Sequence, residues 1–223
     1  MKVSFCITCY DRDAHLLQQS LMYILQNQTT EPDEILVIAS GLESLGCSNP
    51  NVKIYNFENR MLAGGARNKG GELATGDVVC FCDVDDPIHP QKCEIIKRVF
   101  GNQDVDALVH NYRLNTLDFS PIQDTQDIEI EKVTSVDERW EKEQNHIFDP
   151  HKDIPRTNVV VQSGRSVCHG HLSAKKELLA EIKYREDMWI GEDGDFCQSI
   201  VKSKKFDLYY TPLKLINYIN ERI

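Results

Sequence analysis

Val78-Val79-Cys80-Phe81-Cys82-Asp83-Val84-Asp85-Asp86 passes from an uncharged, β-branched and aromatic run straight into three carboxylates. With the turn residues Gly76-Asp77 in front of it, Val78–Cys82 predicts a buried strand. Pro87 and Pro90 forbid simple continuation of its ladder. Acidic side chains at the carboxyl end of a central strand stand where open α/β sheets bind ligands. Asp83 and Asp85 are two positions apart, so an ideal strand puts them on one face, and at its end they can converge on one cation. Hard oxygen ligands of this kind suit Mg2+ or Mn2+ carrying substrate phosphates. Asp-Asp-Pro is also ordinary turn chemistry, and this segment by itself admits both readings.

On either side of that strand the chain alternates between two periodicities. Lys2–Cys9 predicts a first strand with Val3, Phe5 and Ile7 alternating, and His15–Gln28 an amphipathic helix carrying Leu17, Leu21, Ile24 and Leu25. Glu34–Ala39 and Val52–Phe57 predict two more strands, and Leu62–Thr75 a glycine-bearing helix. Gln91–Phe100 follows as a helix and Val105–Asn111 as a strand. This order implies βαβ units, hence a single Rossmann-like, mostly parallel central sheet flanked by helices. Right-handed crossovers then place the loops after Cys9, Ala39 and Cys82 along one edge.

The second half is less regular. Residues 114–158 are polar, with Ile128–Val133 as one strand candidate; Val159–Gln162 and Ser166–Cys168 predict short strands, and Ala174–Ile182 a helix. Gly191-Glu192-Asp193-Gly194-Asp195 reads as a loop entering a helix, its carboxylates in the first turn where they suit the dipole. Phe206–Thr211 and Leu213–Ile219 read as two closing strands. With no repeat and no sharp compositional boundary, the expectation is one domain over 1–223, in two halves, 1–112 and a smaller mixed one at 113–223.

The 223 residues can bury a full core. A formal net charge of −10 argues against a nucleic-acid or anionic-membrane partner, though not against a small phosphate ligand whose charge a cation and local arginines neutralise. The first residues are interrupted too soon by Asp11, Arg12 and Asp13 to form a signal peptide, and no stretch approaches the roughly 18 apolar residues of a membrane span. A soluble, cytoplasmic protein is therefore expected. Cys6 and Cys9 form a CxxC, but within a strand pattern, and Cys80 and Cys82 lie in the apolar run; buried, reduced thiols are expected of the eight cysteines.

Just before the acidic strand comes Leu62-Ala63-Gly64-Gly65-Ala66-Arg67-Asn68-Lys69-Gly70. Gly64 and its small neighbours admit close approach of a backbone or ligand, and Arg67 and Asn68 offer donors to a base, ribose or phosphate. Neither a Walker loop nor a GxGxxG is present. The order of motifs is more specific than any one of them: Thr8-Cys9-Tyr10-Asp11-Arg12 ending the first strand, Ala66-Arg67-Asn68, Gly76-Asp77, Asp83-Val84-Asp85-Asp86, and later Gly191-Glu192-Asp193. The chain resembles the family 2 nucleotide-sugar glycosyltransferases, inverting enzymes of the GT-A fold, over roughly residues 2–100 and 165–200. Its compact form is also similar to transferases encoded by large algal DNA viruses.

The resemblance implies a hexosyl-type transfer from a nucleoside-diphosphate sugar, a UDP-sugar above all, to a hydroxyl of a glycan, protein or glycoside acceptor, assisted by Mn2+ or Mg2+. It places Thr8, Tyr10 and Arg12 around the nucleotide base, and Arg67 and Asn68 against base and ribose. Asp83 would meet ribose or metal, and Asp85 of the Asp-x-Asp motif the metal that bridges the diphosphate. Asp193 would be the general base, with Glu192 beside it. In place of the aspartate the family usually carries after its second strand, this chain has Ser40, in Val37-Ile38-Ala39-Ser40-Gly41, which can still hydrogen-bond a base.

His169 and His171 are candidates for a third metal ligand, although histidines more often pack or hydrogen-bond. Glu192-Asp193 alone also reads as an acidic helix cap, and Trp189 is equally a core residue or a platform for an acceptor sugar. Two other functions remain open. A sugar-phosphate nucleotidyltransferase would want a basic glycine-rich loop where this chain has Tyr10-Asp11-Arg12-Asp13. A nucleotide-sugar-binding protein without chemistry would not need both Asp85 and Asp193.

Overall fold

The structure is a computed structural model that describes residues 1–41, 47, 49–116, 119–137, 158–169 and 171–219, the side chains of Arg12 and Cys168 excepted. Ten strands form one sheet in the order β3-β2-β1-β4-β9-β5-β10-β6-β7-β8. The first four are β1 (Val3–Tyr10), β2 (Glu34–Ser40), β3 (Val52–Phe57) and β4 (Val78–Asp83), parallel throughout and joined by α1 (Ala14–Asn27) and α2 (Ala63–Leu73). A short 3-10 turn, Asp11–Asp13, precedes α1.

The sheet buries both faces, which is why its strands are apolar at every position rather than at alternate ones. Phe5, Ile7, Cys9, Cys80 and Cys82 point to a core shared with Leu17, Leu21 and Ile24 of α1 and with Ile95, Ile96 and Val99 of α3 (Lys92–Asn102). Cys6, Leu36, Ile38, Val79 and Phe81 point to the other, shared with Ala66 of α2 and with α4 (Lys176–Glu181) and α5 (Glu192–Ser203). Each fully buried Ile, Leu or Phe contributes about 1.5–3 kcal/mol of transfer free energy. Cys6 and Cys9 lie in different cores, so the sheet itself separates the CxxC thiols. Every described cysteine side chain is free, and only Cys47 is exposed.

Three elements differ from the expectation. Leu172–Lys175 is a strand, β9, where a helix was predicted from Ala174; the helix starts only at Lys176. β9 is antiparallel to both neighbours, β4 and β5 (Ala107–Leu114), and so splits the parallel order. The closing segment is one strand, β10 (Leu208–Tyr218), which absorbs Pro212 through register shifts between Thr211 and Ile216. β10 runs parallel to β5, whereas β6 (Glu131–Val136), β7 (Asn158–Val161) and β8 (Ser166–Cys168) continue antiparallel. No helix among the described residues is long and apolar enough to cross a membrane.

Candidate active site at the carboxyl edge of the sheet

Parallel register brings the ends of β1, β2 and β4 together, with Thr8 opposite Asp83 and Tyr10 opposite Ser40. β4 stops at Asp83, and the Asp86 N–H donates to the Asp83 carbonyl at 3.2 Å, closing a turn. That turn alters the acidic geometry. Two-residue alternation, which would pair Asp83 with Asp85, ends with the strand, and Asp86 folds back beside Asp83 while Asp85 is half-buried in the turn between them. His171, at the start of β9, completes the group: its Nε2 lies 3.0 Å from Asp86 Oδ2 and 3.4 Å from Asp83 Oδ2. One ligand atom from each of Asp83, Asp86 and His171 falls within 4.8 Å of the others, and Asp85 is not one of the three.

The charges in this group are set by burial and by one another. Burial alone would lower the His171 imidazole, but the two carboxylates hold its pKa well above the ordinary value. Burial alone would raise Asp83, but Arg67 and His171 hold it well below the usual carboxylate range. Asp86, 4% exposed, stays raised because burial outweighs its bond to His171. Two carboxylate oxygens and an imidazole nitrogen lie at a spacing that could hold a divalent cation, which would have to displace the proton the carboxylates keep on His171.

Arg67, on the buried face of α2, ties this group to the far half of the chain. Its Nη2 donates to Asp83 Oδ1 at 3.1 Å and its Nη1 to Glu192 Oε1, and its guanidinium lies over the Tyr184 ring. Asn68 holds the connecting segment: its amide nitrogen donates to Tyr184 O and Glu186 Oε1, each at 2.9 Å, and its oxygen accepts from the Tyr184 N–H. Gly64 is required by the same contact, since a Cβ there would lie 2.2 Å from the Arg185 carbonyl oxygen. Tyr184 stacks on Phe196 of α5 at 3.8 Å. The αL backbone of Gly191, φ +82°, then turns the chain into α5, so that Glu192 meets Arg67. Burial holds Glu192 above the ordinary carboxylate range despite that arginine.

The residues singled out in the sequence are thus placed as follows. Thr8 is buried, and its Oγ1 donates to Asp83 Oδ1 at 3.2 Å. Ser40 is buried at the end of β2, where its Oγ accepts from the Met61 N–H at 3.4 Å. Tyr10 ends β1 and is half-buried; Arg12 sits in the 3-10 turn, and its side chain lies outside the described residues. Asp193 opens α5 beside Glu192, with its Oδ1 accepting from the Gly194 N–H at 2.8 Å. Asp83, Arg67, Glu192 and Asp193 are therefore brought together. Gly64 and the Asn68 amide are engaged in packing segment 184–186 against α2. Of the two histidines named as candidate ligands, His171 joins the group; the sequence did not show that its partner would be Asp86, the last acid of Asp83-Val84-Asp85-Asp86, rather than Asp85.

A family model described as Glycosyl transferase family 2 matches residues 4–182, from the second residue of β1 to just past α4. The chain belongs to glycosyl transferase family 2. Among relatives of this family 2 chain, EpsH of Bacillus subtilis (strain 168), named as a glycosyltransferase, is 26% identical over 225 aligned positions, covering 97% of this chain and 62% of EpsH. The amylovoran biosynthesis glycosyltransferase AmsB of Erwinia amylovora is 27% identical over 164, covering 72% of this chain and 48% of AmsB. The family 2 chain therefore spans about half to three-fifths of the length of these relatives. Residues 1–349 of S. aureus TarS, solved in complex with UDP-GlcNAc, superpose with a TM-score of 0.60 at 15% identity, covering all of this chain and 59% of that one. The fold is the GT-A fold.

Proposed function

We propose that the chain is an inverting glycosyltransferase that moves a sugar from a nucleoside-diphosphate sugar, a UDP-sugar, to a hydroxyl of an acceptor. The observation that carries this is the junction at Arg67, where the acidic end of β4 and the Glu192-Asp193 start of α5 meet from opposite sides of one buried guanidinium. An enzyme that cleaves an anomeric bond and deprotonates an incoming hydroxyl uses a base placed apart from the groups that meet the leaving diphosphate. Family membership and the GT-A fold support the same reading, and the UDP-GlcNAc complex of TarS supports the choice of UDP.

In this reading Thr8, Tyr10, Arg12 and Ser40 line the nucleotide end at the mouths of β1 and β2. Asp83, Asp86 and His171 would hold a divalent cation at the diphosphate end, and Asp85, in the same turn, would add a further carboxylate to that cation's field. The chemistry such a cation supplies when bound is neutralisation of the negative charge gained by the departing diphosphate. Asp193 takes the proton from the acceptor hydroxyl as it attacks the anomeric carbon, and one displacement inverts that centre. Glu192, anchored by Arg67, orients the acceptor beside it. Asn68 positions α5 by holding segment 184–186.

A thermal-shift screen of nucleoside diphosphates and their sugars, with and without Mn2+, tests the donor class. A ligand at 100 times its Kd adds roughly 2.7 kcal/mol to stability. Stabilisation by UDP and a UDP-sugar that depends on Mn2+ is expected; stabilisation by no nucleotide in the screen would contradict the proposal.

A further inference from the structure

Trp189 is 63% exposed, the most exposed large apolar side chain among the described residues. The core reading left open by the sequence is thereby removed. Exposed aromatic rings beside a site are a recurring feature of recognition surfaces, because they present a large, rigid apolar face at low entropic cost. Its position is specific. Trp189 precedes the Gly191 turn into α5, and four residues of chain keep its Cα within about 14 Å of that of Asp193. The Arg60 guanidinium carbon lies 5.5 Å from the centroid of the indole. Arg60 is followed by Met61, whose N–H reaches Ser40 at the end of β2, so the pair spans the rim from the nucleotide end to the start of α5.

Two further observations sharpen this. Arg60 makes no ion pair with a carboxylate among the described residues, although the chain carries an excess of ten acidic charges; its observed partner is the indole. The segment that presents Trp189 is anchored upstream: Asn68 holds Tyr184 and Glu186, and Arg185 donates to both oxygens of Asp187 at 3.1 and 2.9 Å. With Arg60 over one face, the exposure that remains belongs to the opposite face and edge of the ring.

The geometry points to Trp189 as the stacking platform of the acceptor subsite, with Arg60 bracing the reverse face of the indole, and therefore to a saccharide acceptor. This rests on the glycosyltransferase reading above. A pyranose ring has one face of C–H groups with slight positive charge, which complements the negative face of an indole. A serine or threonine hydroxyl on a protein offers no such face. A sugar on this platform sits on a residue whose Cα lies within about 14 Å of the start of α5, where Glu192 and Asp193 stand.

Saturation-transfer NMR on the full chain with Mg2+ tests this, with UDP, methyl β-D-glucopyranoside, methyl β-D-galactopyranoside and methyl N-acetyl-β-D-glucosaminide as probes. At least one glycoside is expected to receive saturation on the ring protons of a single face. Its apparent affinity should fall roughly tenfold in Trp189→Ala, less in Trp189→Phe and in Arg60→Ala, with UDP saturation unchanged in all three. No glycoside saturated by the wild type, or equal saturation in Trp189→Ala, overturns the platform. Trp189-dependent glycoside saturation without any UDP saturation upholds the saccharide site and overturns the UDP-sugar donor reading instead.

Discussion

Arg67 holds two carboxylates that come from elements over a hundred residues apart in the chain, and it does so almost entirely out of water. Removing one member of such a buried pair costs about 3–5 kcal/mol, because the remaining charge is left without compensation. The Asp83 side chain is 35% exposed and can be resolvated, whereas that of Glu192, at 11%, cannot. Arg67→Ala is therefore expected to lose about 3 kcal/mol in urea denaturation, and Arg67→Lys most of that, since one ammonium cannot serve both carboxylates. A loss below about 1 kcal/mol, the size of an exposed pair, would show that the bridge is weak in solution. The acidic turn makes a second prediction at this scale. Asp86→Asn removes a proposed ligand and the partner of His171, so the affinity for Mn2+ in the presence of UDP should fall about 10–100-fold by electron paramagnetic resonance. Asp85→Asn should cost less. The reverse order would return the metal to the strand-alternation arrangement read from the sequence.

At the level of elements, the docking of segment 184–186 onto α2 is what brings α5 to the site. Gly64→Ala puts a Cβ against the Arg185 carbonyl, which cannot swing aside as a side chain end would. Overpacking of this kind costs about 1–3 kcal/mol. Thermal denaturation should show that loss, together with weaker transfer, while Gly101→Ala in α3, where a Cβ meets nothing within 4 Å, should be neutral or stabilising. Equal stability of the two variants would contradict the contact.

The opposite end of the sheet has its own clamp. Glu34, at the start of β2, accepts from Lys53 on β3, Ser4 on β1 and the Thr75 N–H ahead of β4. Burial alone would raise this carboxyl, but those donors hold it below its ordinary 4.5. Because the folded value is the lower one, its stabilisation is complete above the unfolded pKa and is lost as pH falls through the folded value. Glu34→Gln should cost about 1–3 kcal/mol at pH 7, and the gap to wild type in urea denaturation should narrow below about pH 4.5. A gap independent of pH would mean that the charge of Glu34 is not what holds the clamp.

These elements also show what could be read in advance. β1 to β4 and the helices between them announce themselves by local period, because each buries a face that its own sequence specifies. β9 does not: Leu172-Ser173-Ala174-Lys175 becomes a strand through non-local pairing on both sides, and its sequence runs without a break into α4. Pro212 suggested a break in β10 that the register shifts accommodate.

Across the whole molecule, the part of the site held on consecutive residues was legible, and the part made by topology was not. Asp83, Asp86, Arg67, Glu192 and Asp193 stand in motifs and His171 was a candidate ligand, whereas the pairing of Asp86 with His171 exists only because β9 inserts beside β4. The same topology sets the Asp83-Asp86-His171 group and the α5 carboxylates at the two ends of Arg67, and the central proposal is that one of these acidic arms serves the diphosphate and the other the incoming hydroxyl. Slow transfer of the donor sugar to water tests it without knowledge of the acceptor. Proton NMR of a panel of α-linked UDP-sugars with the protein and Mg2+ reads the anomer released before mutarotation. The β-anomer should appear first from at least one donor, and Asp193→Asn should slow its appearance by about 10²–10⁴-fold while leaving UDP binding intact. Release of the α-anomer, or a rate unchanged in Asp193→Asn, would contradict it.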